Sequence, residues 1–304
     1  MPESFLIPRF VDLHAGGFFL RPDEPYAALQ ARLEHHAAHL VRNGIGFALI
    51  TVVVDNSGAA ESDLAQITAL LNLVGAFATA RHTGIELRVH LRCELSDDGT
   101  TERLATLCDA FAPQIDLISA MDHSPGQGQY KTQDAWQSAY DFLTFDRPGS
   151  LEMLAQRRKA SAPIHYAERL RGLAKIAGRH RIPFASHDDE DAGRQDLAHR
   201  CGSAMSEFPL SEVAASRAKA TGRSVLVGAP NIARGNSKFG NVSARRLLEL
   251  NYVDCVSYDY DPSASVKSWE YICHKFGAQK AIVNRHATLT PFRRPIMTPL
   301  GQHG

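Results

Sequence analysis

Residues 85–95 read Ile-Glu-Leu-Arg-Val-His-Leu-Arg-Cys-Glu-Leu, an alternating run in which His90, Arg92 and Glu94 fall at every second position. A period of two marks a strand, and this one carries ionisable groups toward its C-terminal end. Seven further runs of strand length occur at 5–14, 46–54, 115–123, 182–187, 204–209, 224–230 and 253–260. Stretches with helical spacing separate and follow them at 26–43, 62–81, 101–111, 151–179, 192–201, 211–221, 243–250 and 265–276. Asp63 and Ser211 suit helix N-caps and Gly222 suits a helix stop. Regular strand–helix alternation implies parallel strands with right-handed crossovers. Eight such units predict a (β/α)₈ TIM barrel. Periodicity alone also allows an open doubly wound sheet, but no GxGxxG follows the first strand and no Walker sequence occurs. Residues 1–304 are expected to form one barrel domain without a flanking β-sandwich. Residues 124–149 are long, polar and aromatic and follow a strand, which predicts a lid or substrate loop over the catalytic face.

The composition narrows the function. The chain of 304 residues is 44% hydrophobic, and its 33 basic residues balance 33 acidic ones. A basic stripe of the kind nucleic-acid binding needs is missing. No signal peptide and no apolar run near the ~20 residues of a membrane span are visible, so a cytoplasmic location without membrane partners is expected. Five cysteines, widely spaced and without a CxxC pair, fit reduced thiols and not a disulfide or zinc-finger framework. Fourteen histidines are many for this length, so their positions matter.

They gather at strand ends. The first strand ends at His14, the fourth at Asp122-His123 and the fifth at His187-Asp188-Asp189, while the sixth contains Glu207, the seventh ends at Asn231 and the eighth contains Asp259 and Asp261. In a (β/α)₈ barrel these ends converge on the active site. Imidazoles and carboxylates gathered there make a ligand set for zinc or another divalent ion. Such an ion lowers the pKa of its bound water, and an unliganded aspartate can carry the proton. A competing reading makes residues 188–190 a solvated acidic turn opening the next helix, and it is adopted for Asp189 and Glu190. Arg92 is equally readable as a structural partner of Glu94. His35, His36, His82 and His180 are read as ordinary surface or core residues.

At these positions the chain resembles the phosphonate-pathway (PhnM) family of the amidohydrolase superfamily, whose activity is that of an α-D-ribose 1-methylphosphonate 5-triphosphate diphosphatase. The matching stretches are Leu-Arg-Cys-Glu-Leu at 91–95, Met-Asp-His-Ser-Pro-Gly-Gln at 121–127 and Ala-Ser-His-Asp-Asp at 185–189. Glu-Phe-Pro at 207–209, Gly-Ala-Pro-Asn-Ile at 228–232, Arg-Gly at 234–235 and Gly-Asn-Val at 240–242 follow in family order. The resemblance implies a metal-dependent hydrolase that releases diphosphate from a phosphorylated sugar triphosphate. Its implied metal ligands are His14, Glu94, His123, His187 and Asp259, with Glu94 bridging and Asp259 also moving the proton. It further implies substrate contacts from Arg92, Gln127, Asn231, Arg234, Ser237 and Asn241, the last four in a phosphate loop running into a helix N-terminus. The implied cofactor is zinc, with manganese or iron as alternatives, as one tight ion and room for a second. The partner is a phosphorylated small molecule, and a homo-oligomer is compatible with it.

Two departures stand out. Where the family has aspartate two residues after the first-strand histidine, this chain has Gly16, and Asp261 replaces a family tyrosine. Gly16 is expected to weaken the site held by His14, with Gly16→Asp restoring a second ion. The alternatives are a C–N-cleaving amidohydrolase and a catalytically impaired paralogue.

Overall fold

The computed structural model describes residues 10–59, 63–79, 84–141 and 149–277. Eight strands form one sheet in chain order: β1 Phe10–Ala15, β2 Ile45–Val54, β3 Glu86–Glu94, β4 Ile115–Met121, β5 Phe184–His187, β6 Met205–Glu207, β7 Ser224–Gly228 and β8 Cys255–Ser257. Every neighbouring pair is parallel. The sheet closes on itself. Ala15 bridges Asp259 in parallel, and the Gly16 N–H donates to the Asp259 carbonyl at 2.5 Å. The buried Asp12 carboxylate fastens the same seam, accepting from Tyr258 N at 2.6 Å, Ser257 Oγ at 2.7 Å and His14 N at 2.8 Å. These bonds settle the choice between a barrel and an open sheet.

The helices are α1 Tyr26–Arg42, α2 Leu64–Thr79, α3 Thr100–Phe111, α4 Gln133–Tyr140, α5 Ser150–His180, α6 Ala192–Arg200, α7 Glu212–Ala220, α8 Ala229–Arg234, α9 Ala244–Glu249 and α10 Ser263–Phe276. Local chemistry starts several of them. Asp191 caps α6 through Arg194 N, and Ser211 caps α7 through Ala214 N, each satisfying an amide that has no partner within the helix.

Alternation along the strands divides the apolar residues into two layers. Val89, Leu91 and Cys93 of β3 face outward into the main core with Leu29, Leu33 and Leu40 of α1 and Leu70 and Val74 of α2. Inside the barrel, Leu13, Leu49, Leu117, Ala185, Met205, Leu226 and Cys255 form an apolar plug. Burial of these side chains supplies most of the driving force, at about 25 cal/mol per Å² of apolar surface. Along β5 and β6 the plug gives way toward the C-terminal ends to His187 and Glu207, and β3 brings His90 to the same side. In β1 a bulge sets three steps (Asp12 to Ala15) against two in β2 (Ala48 to Ile50). Consecutive residues can therefore share one side: Leu13 joins the plug, and His14 packs against the His90 and His187 rings.

Several expected boundaries change. β6 and β8 are shorter than their apolar runs because Phe208 and Asp259, just beyond them, adopt left-handed φ of 48° and 60°. The 124–149 connection contains the helix α4, and the Gly-Ala-Pro-Asn stretch opens the short helix α8 where a loop was expected. Residues 1–9, 142–148 and 278–304 lie outside the described residues, as do His82 and parts of the expected first strand, second helix and lid. Among the described residues no strand lies outside the barrel. Cys93, Cys108 and Cys255 are buried, and all five cysteines are thiols. None of the described helices is long and apolar enough to cross a membrane.

Candidate metal centre

Four imidazoles run in a row across the barrel mouth. Ring centroids are 5.0 Å apart between His90 and His14, 5.3 Å between His14 and His187, and 5.6 Å between His187 and His123. Each comes from a different strand or strand end, as the (β/α)₈ architecture requires. Carboxylates complete two groups. His14, His90 and Glu207 form one, and His123, His187 and Asp188 the other; within each, one ligand atom per residue lies within 4.8 Å of the rest, and all six residues are buried. Asp188 reaches its group because its φ is 57°, a left-handed turn immediately after β5. Its Oδ2 stands 3.1 Å from both His123 Nε2 and His187 Nδ1.

The donor set fits a divalent cation. His187 Nδ1, Asp188 Oδ1 and Glu207 Oε2 are buried without a hydrogen-bond partner, an arrangement that costs free energy unless something satisfies it. Burial lowers the His90 pKa to about 3 and the His123 pKa to about 4, and drives His14 well below its usual value. These imidazoles are therefore neutral near pH 7, the form that ligates metal. Burial opposes ionisation of Asp188, but His187 and His123 overcome it and hold the carboxyl below its normal range.

The residues expected from sequence are distributed unevenly. His14, His123 and His187 meet as described. Glu94 is buried outside both groups: Oε1 accepts from Ser96 Oγ at 2.6 Å, both oxygens accept from His123 N at 3.2 Å, and Arg158 Nη1 lies 3.6 Å away. Burial raises its pKa to about 7 against the pull of Arg158. Arg92 points into the centre with Nη2 3.3 Å from His187 Nε2, and its buried Nε has no hydrogen-bond partner. That placement corrects its reading as a partner of Glu94. Asp259 lines the cavity beside His14 and Arg92, and burial raises its pKa to about 6 while Arg92 and His187 oppose the shift. A group poised there can accept and return a proton near neutral pH.

A cavity of about 480 Å³ opens over this centre. Arg92, Asn231, Arg234, Ser237 and Asn241 line it, with Gln129 and Tyr130 from the connection after β4 and Lys238, which sequence reasoning passed over. Arg234 donates to Tyr260 Oη at 2.7 Å, and Asn231 Oδ1 accepts from the Ala244 N–H at 3.0 Å. Gln127 faces elsewhere: it donates to Asp122 Oδ2 at 2.7 Å and lines a separate small cleft, contrary to its expected direction. Asp189 is buried and accepts from Ser186 Oγ at 2.5 Å, which overturns its reading as a solvated turn residue, whereas Glu190 is exposed.

Gly16 has a steric explanation. A Cβ at this position would collide with the Asp259 carbonyl oxygen across the β1–β8 seam. An aspartate cannot enter without moving β8, so the expectation that Gly16→Asp restores a ligand loses its basis.

Comparison with known proteins places the chain. It is 30% identical over 265 residues to the α-D-ribose 1-methylphosphonate 5-triphosphate diphosphatase of Escherichia coli (strain K12), covering 86% of this chain and 69% of that protein. The chain belongs to this diphosphatase family. Membership of that family makes it a hydrolase. No family model matches it. Solved structures share the fold of this family member. A 5-methylcytosine deaminase from Klebsiella pneumoniae superposes with a TM-score of 0.56 at 13% identity, covering 94% of this chain and 76% of that one. An organophosphorus hydrolase from Deinococcus radiodurans gives 0.55 at 12% identity, covering 94% and 92%.

Proposed function

We propose that the enzyme cleaves a phosphoric anhydride in a sugar triphosphate of the α-D-ribose 1-methylphosphonate 5-triphosphate class and releases diphosphate. The observation that carries this reading is one cavity lined both by His14, His123, His187 and Asp188 of the centre and by Arg92, Arg234, Lys238, Ser237 and Asn241. A triphosphate brings several negative charges and acceptor oxygens, which guanidinium, ammonium and amide donors match. His123, His187 and Asp188 are assigned as holders of the tighter ion, with His14, His90 and Glu207 as the second group. Zinc suits this mixed nitrogen–oxygen set. When bound, the ion supplies Lewis acidity and lowers the pKa of water. Arg92 is assigned to the phosphoryl oxygens, because its Nε is buried, unpaired and beside the centre. Asp259 is assigned to the proton, which it takes from the attacking water and returns to the leaving diphosphate. Glu94 supports the centre by holding the His123 backbone.

The test is ³¹P NMR of a ribose 5-triphosphate ester incubated with purified protein and zinc or manganese. Diphosphate should appear stoichiometrically with the 5-monophosphate. Stepwise release of orthophosphate, or an intact triphosphate beside hydrolysis of an amide or amino-heterocycle panel, would transfer the assignment to another reaction of the superfamily.

A further inference from the structure

Tyr140 ends α4, the helix carried by the long connection after β4. Its ring stacks on the buried Trp136 with centroids 4.6 Å apart and planes 11° from parallel. Its hydroxyl stands 2.8 Å from His123 Nδ1. The other ring nitrogen, Nε2, faces Asp188 Oδ2 at 3.1 Å. An ionised carboxylate can only accept, so Nε2 carries the proton in this arrangement. Nδ1 is then a lone pair, and the Tyr140 O–H donates to it.

An ion held by His123, His187 and Asp188 requires the reverse. The Nε2 lone pair must face the ion, so the single ring proton must sit on Nδ1, and Nδ1–H needs an acceptor. The nearest carboxylate oxygen, Glu94 Oε2, is 3.9 Å away, beyond hydrogen-bond reach. The phenol oxygen is within reach, and a hydroxyl can donate in one state and accept in the other.

We propose that Tyr140 is a positioning residue that sets the tautomer of His123. Its hydroxyl donates to Nδ1 in the metal-free protein and accepts from Nδ1–H in the loaded one. One proton leaves Nε2 and one arrives at Nδ1, so the ring stays neutral. In the loaded state the Tyr140 O–H is released toward the cavity that its side chain lines, where a phosphate oxygen is a suitable acceptor. This inference rests on His123, His187 and Asp188 forming the metal centre.

The test uses the full chain, stripped with chelator, as wild type and Tyr140→Phe, a change that keeps the ring on Trp136. Zinc is titrated into both, and ¹⁵N spectra of the labelled histidine rings are recorded before and after. The wild type should show His123 protonated on Nε2 without zinc and on Nδ1 with it. The variant should melt like the wild type but bind zinc about 10- to 100-fold more weakly, the usual cost of losing a hydrogen bond to a ligating histidine. It should also lose the hydrogen-bond shift of His123 Nδ1 in the metal-free spectrum. Equal zinc affinity in the two proteins, or a wild-type His123 already protonated on Nδ1 without zinc, overturns the role of Tyr140. A wild type that binds no zinc overturns the metal centre itself, and this inference with it.

Discussion

Single residues at the barrel mouth are constrained by what stands across the seam from them. Gly16 lacks a side chain because the Asp259 carbonyl occupies the volume a Cβ needs, while its backbone lies outside the left-handed region. Gly16→Ala should therefore already cost about 1–3 kcal/mol, the range for overpacking, as a lower urea midpoint. Gly16→Asp should cost as much and add no ion; an increase in bound zinc would refute the steric account. Removing a ligand should act differently. His187→Ala should abolish tight zinc binding in a titration, because His187 sits between His14 and His123 in the imidazole row, and retained stoichiometry would exclude it from the centre. His14, His123 and His187 were legible because each ends a strand. His90 and Glu207 stood in equally visible places, but their partnership with His14 arises from a bulge in β1 and from barrel curvature, neither of which leaves a periodic mark.

Elements contribute through charges they carry to one another. Arg158, on α5, is fully buried and donates through Nη2 to Asp55 at 2.8 Å beyond β2 and to Asp97 at 2.9 Å beyond β3, with Glu94 at 3.6 Å. It thus ties the longest helix to two strand ends and neutralises the carboxylate that holds His123. Arg158→Met should destabilise by about 3–5 kcal/mol, because buried carboxylates lose their cation. Chemical denaturation would check this, and a loss under 1 kcal/mol would show the cluster to be hydrated. The eight strand–helix units were readable because each is a local pattern. Arg158 and Tyr140 were not, since no spacing within α4 or α5 announces which strand end it will meet. The 124–149 connection misled for a related reason: its polar, aromatic composition concealed the helix α4, whose Trp136 donates to the His123 carbonyl at 2.6 Å.

For the molecule as a whole, the ion and the fold are thermodynamically linked. Acceptor oxygens left unsatisfied on Asp188 and Glu207 should make the metal-free barrel less stable than the loaded one. At free zinc of 100 times Kd the linkage amounts to about 2.7 kcal/mol. For a domain of this size that corresponds to a rise in Tm of about 4 °C. Calorimetry with chelator and with zinc should resolve it; superimposable melts would mean the ion does not prefer the folded state. The barrel itself was legible from alternation and closure rules, whereas the β1–β8 seam that proves closure depends on Asp12 and Gly16 meeting residues some 240 positions away.

Asp259 shows what such an arrangement means over generations. It combines a left-handed backbone with a carboxylate buried beside Asp12 and Asp188, so the fold would be better served by another residue. Asparagine tolerates the same backbone without the charge, and Asp259→Asn should stabilise the metal-free protein by about 0.5–2 kcal/mol while abolishing turnover. Wherever a lineage ceased to need the reaction, drift would be drawn to this position early. Descendants that had given up catalysis would then carry asparagine or glycine at 259 on an otherwise intact barrel.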